Sequence, residues 1–301
     1  MEESSEIVIE SKKKPARGLC LRQKYIFAAV IIFLCIFAGL IYRAMTWTPK
    51  PDPDSEAKIR QEVAKRLGRY PNELTDEDFA KINFLRLGTT SFAGQITFTQ
   101  ELADIKLVEK FTNLQELNLN GIKFPKNKIP KWMSLMAKLG FFNLEEKFPL
   151  DLSTLEKLTN LEALGISDTT VKNFKTLENL TNLKELYLVG KEVCNIEPVN
   201  KLTKLKTLFI SNTQITDLEP LRGLNNLQML IIYDTQITDI EPLRGLNKLQ
   251  ELHIYNTPVA NLEPIKGLTN LQKLKLHGSN NISDEQVEEL QWALPTLRIN
   301  R

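Results

Sequence analysis

Large aromatic, aliphatic, histidine and charged side chains recur at intervals of 22 residues in the second half of this chain. In chain order they are Tyr187, Phe209, Met229, Ile231, Tyr233, Glu251, His253, Tyr255, Lys273, Lys275 and His277. Apolar and aromatic groups provide contact area, whereas lysine, histidine and glutamate provide charge and hydrogen bonds at the rim of a contact. We predict that these residues form one non-covalent ligand-binding surface.

Catalytic and metal-binding patterns are absent from the sequence. The only histidines are His253 and His277, and no His, Cys and carboxylate spacing suits zinc. A glycine-rich phosphate loop and a Gly-x-Ser-x-Gly elbow are also missing. We therefore predict that the protein is not an enzyme and holds no metal or cofactor. An enzyme site assembled in the inserted loops 88–111 or 120–138 ranks last among the alternatives.

A leucine signature with the same 22-residue period indicates the element that positions these side chains. Its seven copies begin at Leu139, Leu161, Leu183, Leu205, Leu227, Leu249 and Leu271, each with large apolar residues three and five positions later. Such alternation fits a short strand whose side chains point to opposite faces. One strand cannot bury its apolar side alone, so the period predicts a solenoid of parallel strands. Recurring Glu-Pro pairs predict a return segment that is extended or a tight turn, not a long helix.

The unit LNNLQMLIIYDTQITDIEPLRG, residues 224–245, resembles leucine-rich repeats of the internalin-like, 22-residue type. The resemblance spans about residues 75–301. It implies an α/β solenoid with a parallel β-sheet on its concave face and short helical caps. The family's usual Asn is replaced by threonine at four positions, Thr169, Thr213, Thr235 and Thr257. The segment LQWALPTLRI resembles the closing element of planctomycete-like bacterial repeat proteins.

Both ends of the predicted array, residues 82–282, carry helical signals. A helical N-cap is expected at 55–81, where Thr75 and Asp78 bracket the start of a second short helix. A C-terminal cap is expected at 283–301, with Ser283 and Gln286 boxing the helix start. Each element would cover apolar core that a terminal repeat leaves exposed.

An uncharged apolar segment precedes the array. Residues 25–42 contain no charge and, at about 1.5 Å per residue, cover about 27 Å, close to the thickness of the hydrocarbon core. We predict one transmembrane helix, an uncleaved signal anchor at 25–46. A cleaved signal peptide is the competing interpretation, but no small-x-small site follows promptly.

Basic residues predict the orientation of this anchor. The tail 1–24 carries six lysines and arginines, whereas the other flank has only Arg43 and Lys50 before position 58. The positive-inside bias places the tail in the cytoplasm and the repeats in the periplasm or outside the cell. A proline-rich linker at 47–54 would hold the repeats away from the membrane surface.

Charge and cysteine usage narrow the partners and the compartment. The chain has 39 basic and 37 acidic residues, and residues 44–301 alone carry net −1, which lacks the basic stripe of a nucleic-acid-binding protein. Cys20 lies in the tail, Cys35 in the span and Cys194 in the return segment, where we expect it to pack. Without a disulfide in the outer domain, a bacterial inner membrane is favoured.

These observations predict a membrane-anchored leucine-rich repeat protein that binds a protein ligand non-covalently through its concave face. Cell-wall glycan is the second candidate ligand, because aromatic and histidine side chains can also stack on sugar rings. A structural or assembly scaffold without a concave-face ligand is the alternative of a different class.

Overall fold

The computed structural model describes residues 53–87, 105–122, 149–167, 169–279 and 281–301. The predicted tail 1–24 and transmembrane segment 25–46 lie outside the described residues, as does most of the linker. Within the described ranges, no helix is long and apolar enough to cross a membrane.

Helix α1, Pro53–Leu67, opens the described chain two residues before the predicted start of the cap. Proline suits this position because the first amides of a helix have no intrahelical acceptor. Ile59 and Val63 are buried by the array, and the helix is followed by Gly68 at φ +64°. Glycine tolerates this left-handed conformation without steric cost, so the chain can turn sharply there.

Helix α2, Asp76–Ala80, is held at its start by the predicted pair. The Asp78 carboxylate accepts hydrogen bonds from the backbone N–H and the hydroxyl of Thr75, both at 3.0 Å. These bonds confirm the predicted capping interaction between Thr75 and Asp78. The Thr75 N–H, together with nearby Lys81 and Arg69, lowers the pKa of Asp78 to about 2, because hydrogen bonds and positive charge favour the ionised form.

A nine-stranded parallel sheet forms the spine of the described array. Its strands are β1 Phe84–Arg86, β2 Glu116–Asn118, β4 Ala163–Ser167, β6 Glu185–Val189, β7 Thr207–Ser211, β8 Met229–Tyr233, β9 Glu251–Tyr255, β10 Lys273–Lys275 and β11 Arg298–Asn300, and they lie in that order. Between β7 and β8, Leu208 faces Leu230 and Phe209 faces Ile231. Residues 22 apart therefore face each other, which confirms the predicted strand register.

The first part of the array departs from the predicted regularity. Strand β2 pairs directly with β4, Leu117 facing Leu164, although the copy predicted to begin at Leu139 lies between them in sequence. Among the described strands, β2 and β4 are direct neighbours. The copy predicted to begin at Leu139 falls within residues 123–148, which lie outside the described part of the chain.

A second, two-stranded sheet lies beside this irregular region. Strand β3, Leu150–Asp151, pairs in parallel with β5, Val171–Lys172. Asp151 also accepts a hydrogen bond from the side chain of Asn173, at 2.7 Å. The return segments of the first repeats are thus joined by backbone pairing that the leucine period did not predict.

The apolar core follows the leucine columns. Leu208, Ile210, Leu230 and Ile232 are fully buried, as the solenoid hypothesis requires. Return-segment residues such as Leu218 close the core from the other side. Burying one such side chain contributes about 1.5–3 kcal/mol relative to leaving it in water.

Four of the 3-10 turns in the described return segments begin with a Glu-Pro pair. They are Glu197–Lys201, Glu219–Leu221, Glu241–Leu243 and Glu263–Ile265. An Asn or Asp side chain two residues before each glutamate accepts its backbone N–H, as Asp217 does for Glu219 at 2.7 Å. Proline follows, where a missing N–H costs nothing. The predicted tight turn is confirmed.

A series of asparagines ties several repeats to the one before. The asparagine that precedes the first leucine of a repeat donates through its side-chain amide to a backbone carbonyl of the preceding repeat. Asn182 reaches the Thr159 carbonyl at 2.7 Å, Asn226 the Thr203 carbonyl at 2.9 Å and Asn270 the Asn247 carbonyl at 2.6 Å. These bonds satisfy turn carbonyls that lie outside the strand ladder.

Helix α3, Asp284–Ala293, covers the last repeat. The Ser283 side chain accepts the backbone N–H of Gln286 at 3.3 Å, which confirms one half of the predicted capping box. The other half is not formed: the Gln286 side-chain oxygen has no hydrogen-bond partner among the described residues, while its amide nitrogen donates to the Ala260 carbonyl at 2.9 Å. The Gln286 side chain therefore ties helix α3 to the preceding repeat.

Candidate functional site

Residues with a left-handed backbone conformation directly follow the three central strands β7, β8 and β9. Asn212, Asp234 and Asn256 have φ of 52°, 50° and 47°. Asparagine and aspartate enter this region more readily than other residues with a side chain. The Asn256 amide also donates to the Asp234 carboxylate at 2.8 Å, so two successive turns are linked.

The threonines that replace the family's usual asparagine lie just beyond these turns, and all four are buried. The Thr169 hydroxyl lies 2.9 Å from the Leu119 carbonyl and 3.0 Å from the Ile122 N–H. The hydroxyls of Thr213, Thr235 and Thr257 have no hydrogen-bond partner among the described residues. Among these four threonines, only Thr169 therefore bonds backbone groups of the neighbouring repeat.

The predicted binding residues lie on the side of the nine-stranded sheet opposite the leucine core, which we call the open face. Tyr187 and Tyr233 are 37% and 40% exposed. Phe209, Met229, Ile231, Tyr255, Glu251, Lys273 and Lys275 are partly exposed, and His277 is exposed. The strand register thus brings residues that are distant in sequence onto one surface.

Ring contacts organise this surface into two groups. The rings of Tyr187 and Phe209 lie 6.3 Å apart, centre to centre, on neighbouring strands. Tyr255 contacts Tyr233 at 5.9 Å, His253 at 5.8 Å and His277 at 5.9 Å, in each case edge to face. Such pairs stabilise the sheet and also hold the side chains in fixed positions before any ligand arrives.

Tyr187 is anchored at the first group. Its hydroxyl donates to the Glu185 carboxylate at 2.9 Å. Partial burial, followed by this bond and the negative charge of Glu185, raises the pKa of Tyr187 to about 12. The side chain is therefore neutral and oriented across the physiological range of pH.

His253 lies on the open face but is only 7% exposed, so it offers little contact surface of its own. Its Nε2 atom lies 3.3 Å from the Glu251 carboxylate. Burial, and next the charge of Lys275, lowers the pKa of His253, and Glu251 only partly opposes this. The imidazole is consequently uncharged at neutral pH and supports the ring of Tyr255.

Glu185 and Arg298 also lie on the open face, although neither was among the predicted binding residues. Glu185 shares its column with Glu251, so the 22-residue spacing could have identified it. Arg298 faces Lys273 across 25 residues, beyond the regular period, and only the pairing of β10 with β11 reveals it.

No group of three or more His, Cys, Asp or Glu side chains suited to a metal ion occurs among the residues with described positions. The two histidines of the open face are instead engaged with Tyr255. What this surface can do chemically is to offer apolar and ring contacts, hydroxyl groups and lysine charge to another molecule.

Comparison with known proteins identifies the repeats. A family model described as leucine-rich repeats in two copies matches residues 181–223, 203–245 and 225–267. No curated protein matches the chain significantly. Solved structures similar to this chain include three proteins of Listeria and Leptospira.

Internalin C2 from Listeria monocytogenes is 22% identical, with 72% of this chain and 91% of that chain covered and a TM-score of 0.48. Internalin F from the same species is 24% identical, with 81% and 88% covered and a TM-score of 0.44. A leucine-rich repeat protein from Leptospira interrogans is 21% identical, with 68% and 77% covered and a TM-score of 0.34.

The three segments matched by the family model begin 22 residues apart, and they contain strands β6 to β9 with their buried leucines. Period, strand register and family match thus agree over the same residues. Residues 181–267 therefore carry leucine-rich repeats with a period of 22 residues.

Proposed function

We propose that this chain is a membrane-anchored leucine-rich repeat protein that binds a protein ligand non-covalently through its open face, the predicted concave face. The observation that supports this proposal is the exposure of Tyr187 and Tyr233 beside the partly exposed Phe209, Met229 and Ile231. Contiguous apolar and aromatic side chains on a solvent-exposed surface are typical of sites that bind another molecule.

The geometry favours binding because the side chains of the open face are already held in place before a ligand arrives. Phe209 and Ile231 stand on adjacent, hydrogen-bonded strands, and Tyr233 packs against Tyr255. Side chains that are already held in place lose less conformational entropy when a ligand covers them. Tyrosine and phenylalanine on such a surface can therefore act as anchors, with lysine and glutamate at the rim.

Anchoring is the second part of the proposal and is supported by the sequence of residues 25–46. With the tail 1–24 in the cytoplasm, the repeats face the periplasm or the outside of the cell, and a bacterial inner membrane is the favoured location. The open face would then meet proteins of that compartment.

The function is tested with a photoreactive amino acid placed in the full chain at the partly exposed Met229 and, as a matched control, at exposed Thr238 on the return side. We expect a protein partner to crosslink at position 229 and not at position 238. Phe209→Asp combined with Tyr233→Asp should abolish this product, because two buried charges would oppose desolvation of the contact.

Thr216→Asp combined with Thr238→Asp is the control pair, since both threonines are exposed on the return side. Circular dichroism shows whether both pairs keep the fold. Equal recovery of partners with the two pairs would contradict open-face binding and favour a scaffold that makes contacts through its edges. A crosslink to glycan alone would favour the cell-wall alternative.

A further inference from the structure

From strand β2 to strand β11, the charges of the open face differ between the two ends of the stack. The central strands β7 and β8 carry no charge on this face, where their residues are Thr207, Phe209, Ser211, Met229, Ile231 and Tyr233. Toward the N-terminal side lie Glu116 and Glu185, on β2 and β6. Toward the C-terminal side lie Lys273, Lys275 and Arg298, with Glu251 as the one acidic residue of strands β9 to β11 on this face.

Two of the four charged residues at the C-terminal side, Glu251 and Lys273, are already paired with each other. Glu251 lies 3.3 Å from the Lys273 ammonium and 3.3 Å from the His253 imidazole, so it neutralises Lys273. Lys275 faces His253 on one neighbouring strand and Asn300 on the other. Lys275 forms no ion pair with any carboxylate of the described residues. Its positive charge is therefore directed at the open face without a counter-charge of its own.

The distance between the two ends limits the size of an occupant. Strands β6 and β10 are four steps apart, and steps of about 4.8 Å place them about 19 Å apart. An extended polypeptide advances about 3.3 Å per residue, so about six residues cover this distance. A short peptide segment can thus reach from Tyr187 to Lys275 over the uncharged centre.

We propose that the occupant of the open face is an extended segment of the partner protein, about six residues long, with an apolar centre and an acidic group at one end. The apolar centre packs on Phe209, Ile231 and Tyr233, and the acidic group pairs with Lys275. This inference rests on the proposed function and adds the chemistry of the partner. Charge complementarity carries it, because a neutral segment would leave Lys275 partly desolvated without a counter-ion.

The experiment selects peptides from a random twelve-residue phage library on the purified full chain. Wild type should enrich sequences in which Asp or Glu follows or precedes an apolar stretch. Lys275→Glu should replace that preference by Lys or Arg. The enriched acidic peptide, once synthesised, should bind Lys275→Glu about 5- to 10-fold more weakly than wild type, as expected for reversing one partly exposed charge.

Lys201→Glu is the matched control, because Lys201 is an exposed lysine on the return side. It should leave both the preference and the affinity unchanged. The inference is overturned if enriched peptides show no acidic excess or if that excess persists in Lys275→Glu. Enrichment lost in Phe209→Asp with Tyr233→Asp, but without acidic bias, would keep the proposed function and remove this inference. No enrichment on wild type would count against both.

Discussion

Equivalent threonines of this protein differ in what their hydroxyl groups do. Thr169 lies within hydrogen-bonding distance of the Leu119 carbonyl and the Ile122 N–H, whereas buried Thr235 has no partner among the described residues. A buried hydroxyl that satisfies backbone groups stabilises the fold, but one without a partner costs desolvation energy. The same residue type at the same repeat position should therefore have opposite effects on stability.

We predict that Thr169→Val lowers the free energy of unfolding by about 1–3 kcal/mol, because two buried backbone groups lose their partner. Thr235→Val keeps the shape and removes an unpaired hydroxyl, so it should be neutral or stabilising. Urea unfolding of the full chain, monitored by circular dichroism in the same detergent for every variant, measures both changes in the free energy of unfolding. Equal losses in the two variants would show that the Thr169 bonds contribute nothing specific.

Neighbouring repeats are joined at the level of elements by more than the strand ladder. Lys204 and Lys248 occupy the position of the asparagine series in alternate repeats and donate to Asn182 and Asn226, at 2.6 Å and 2.7 Å. Asn226 therefore takes part in two contacts, one to the preceding repeat and one to the next. Such nearest-neighbour bonds matter in a solenoid, since each repeat contacts only its neighbours.

Asn226→Ala should lower the free energy of unfolding by about 1 kcal/mol, the usual net value of an intramolecular hydrogen bond. Asn225→Ala is the control, because Asn225 is exposed and adjacent in sequence but makes no side-chain hydrogen bond in the described structure. It should change stability by only a few tenths of a kcal/mol. Thermal and urea unfolding give the comparison. An effect of Asn225→Ala as large as that of Asn226→Ala would reject the role of the series.

At the scale of the whole molecule, Cys194 provides a probe of orientation. We expected this cysteine to pack in the return segment, but the structure leaves it exposed, so that expectation is wrong. The neighbouring Val193 takes the buried position instead. Cys194 is consequently accessible to reagents, so under the proposed anchoring it reports on which side of the membrane the repeats lie.

In right-side-out vesicles from a bacterial host, we predict that a membrane-impermeant maleimide labels Cys194 without lysis. Cys20 of the tail should react only after the membrane is permeabilised. Cys194→Ser should remove the signal seen before lysis, which identifies the labelled site. Labelling of Cys20 alone in sealed vesicles would reverse the proposed orientation. Release of the chain by alkaline carbonate would contradict the membrane anchor itself.

Much of the fold follows from local patterns. Leu208, Leu230 and Leu252 recur every 22 residues and are all fully buried, because a strand that repeats in register must bury the same column each time. The same period predicts that Phe209 and Ile231 lie on the opposite face. The part of the open face between β6 and β10 was therefore predictable from the sequence alone.

Only the tertiary structure decided which strands meet where the period fails. The pairing of β2 with β4 and the pairing of β3 with β5 each join residues that are not 22 positions apart. Neighbours from other repeats also decide three details of the open face. They bury His253, pair Glu251 with Lys273 and place Arg298 beside Lys273. A periodic sequence determines the register of its strands because each repeat must bury the same apolar positions against its neighbours. Insertions, caps and charge pairs are decided by contacts between unlike segments, which only the folded chain brings together.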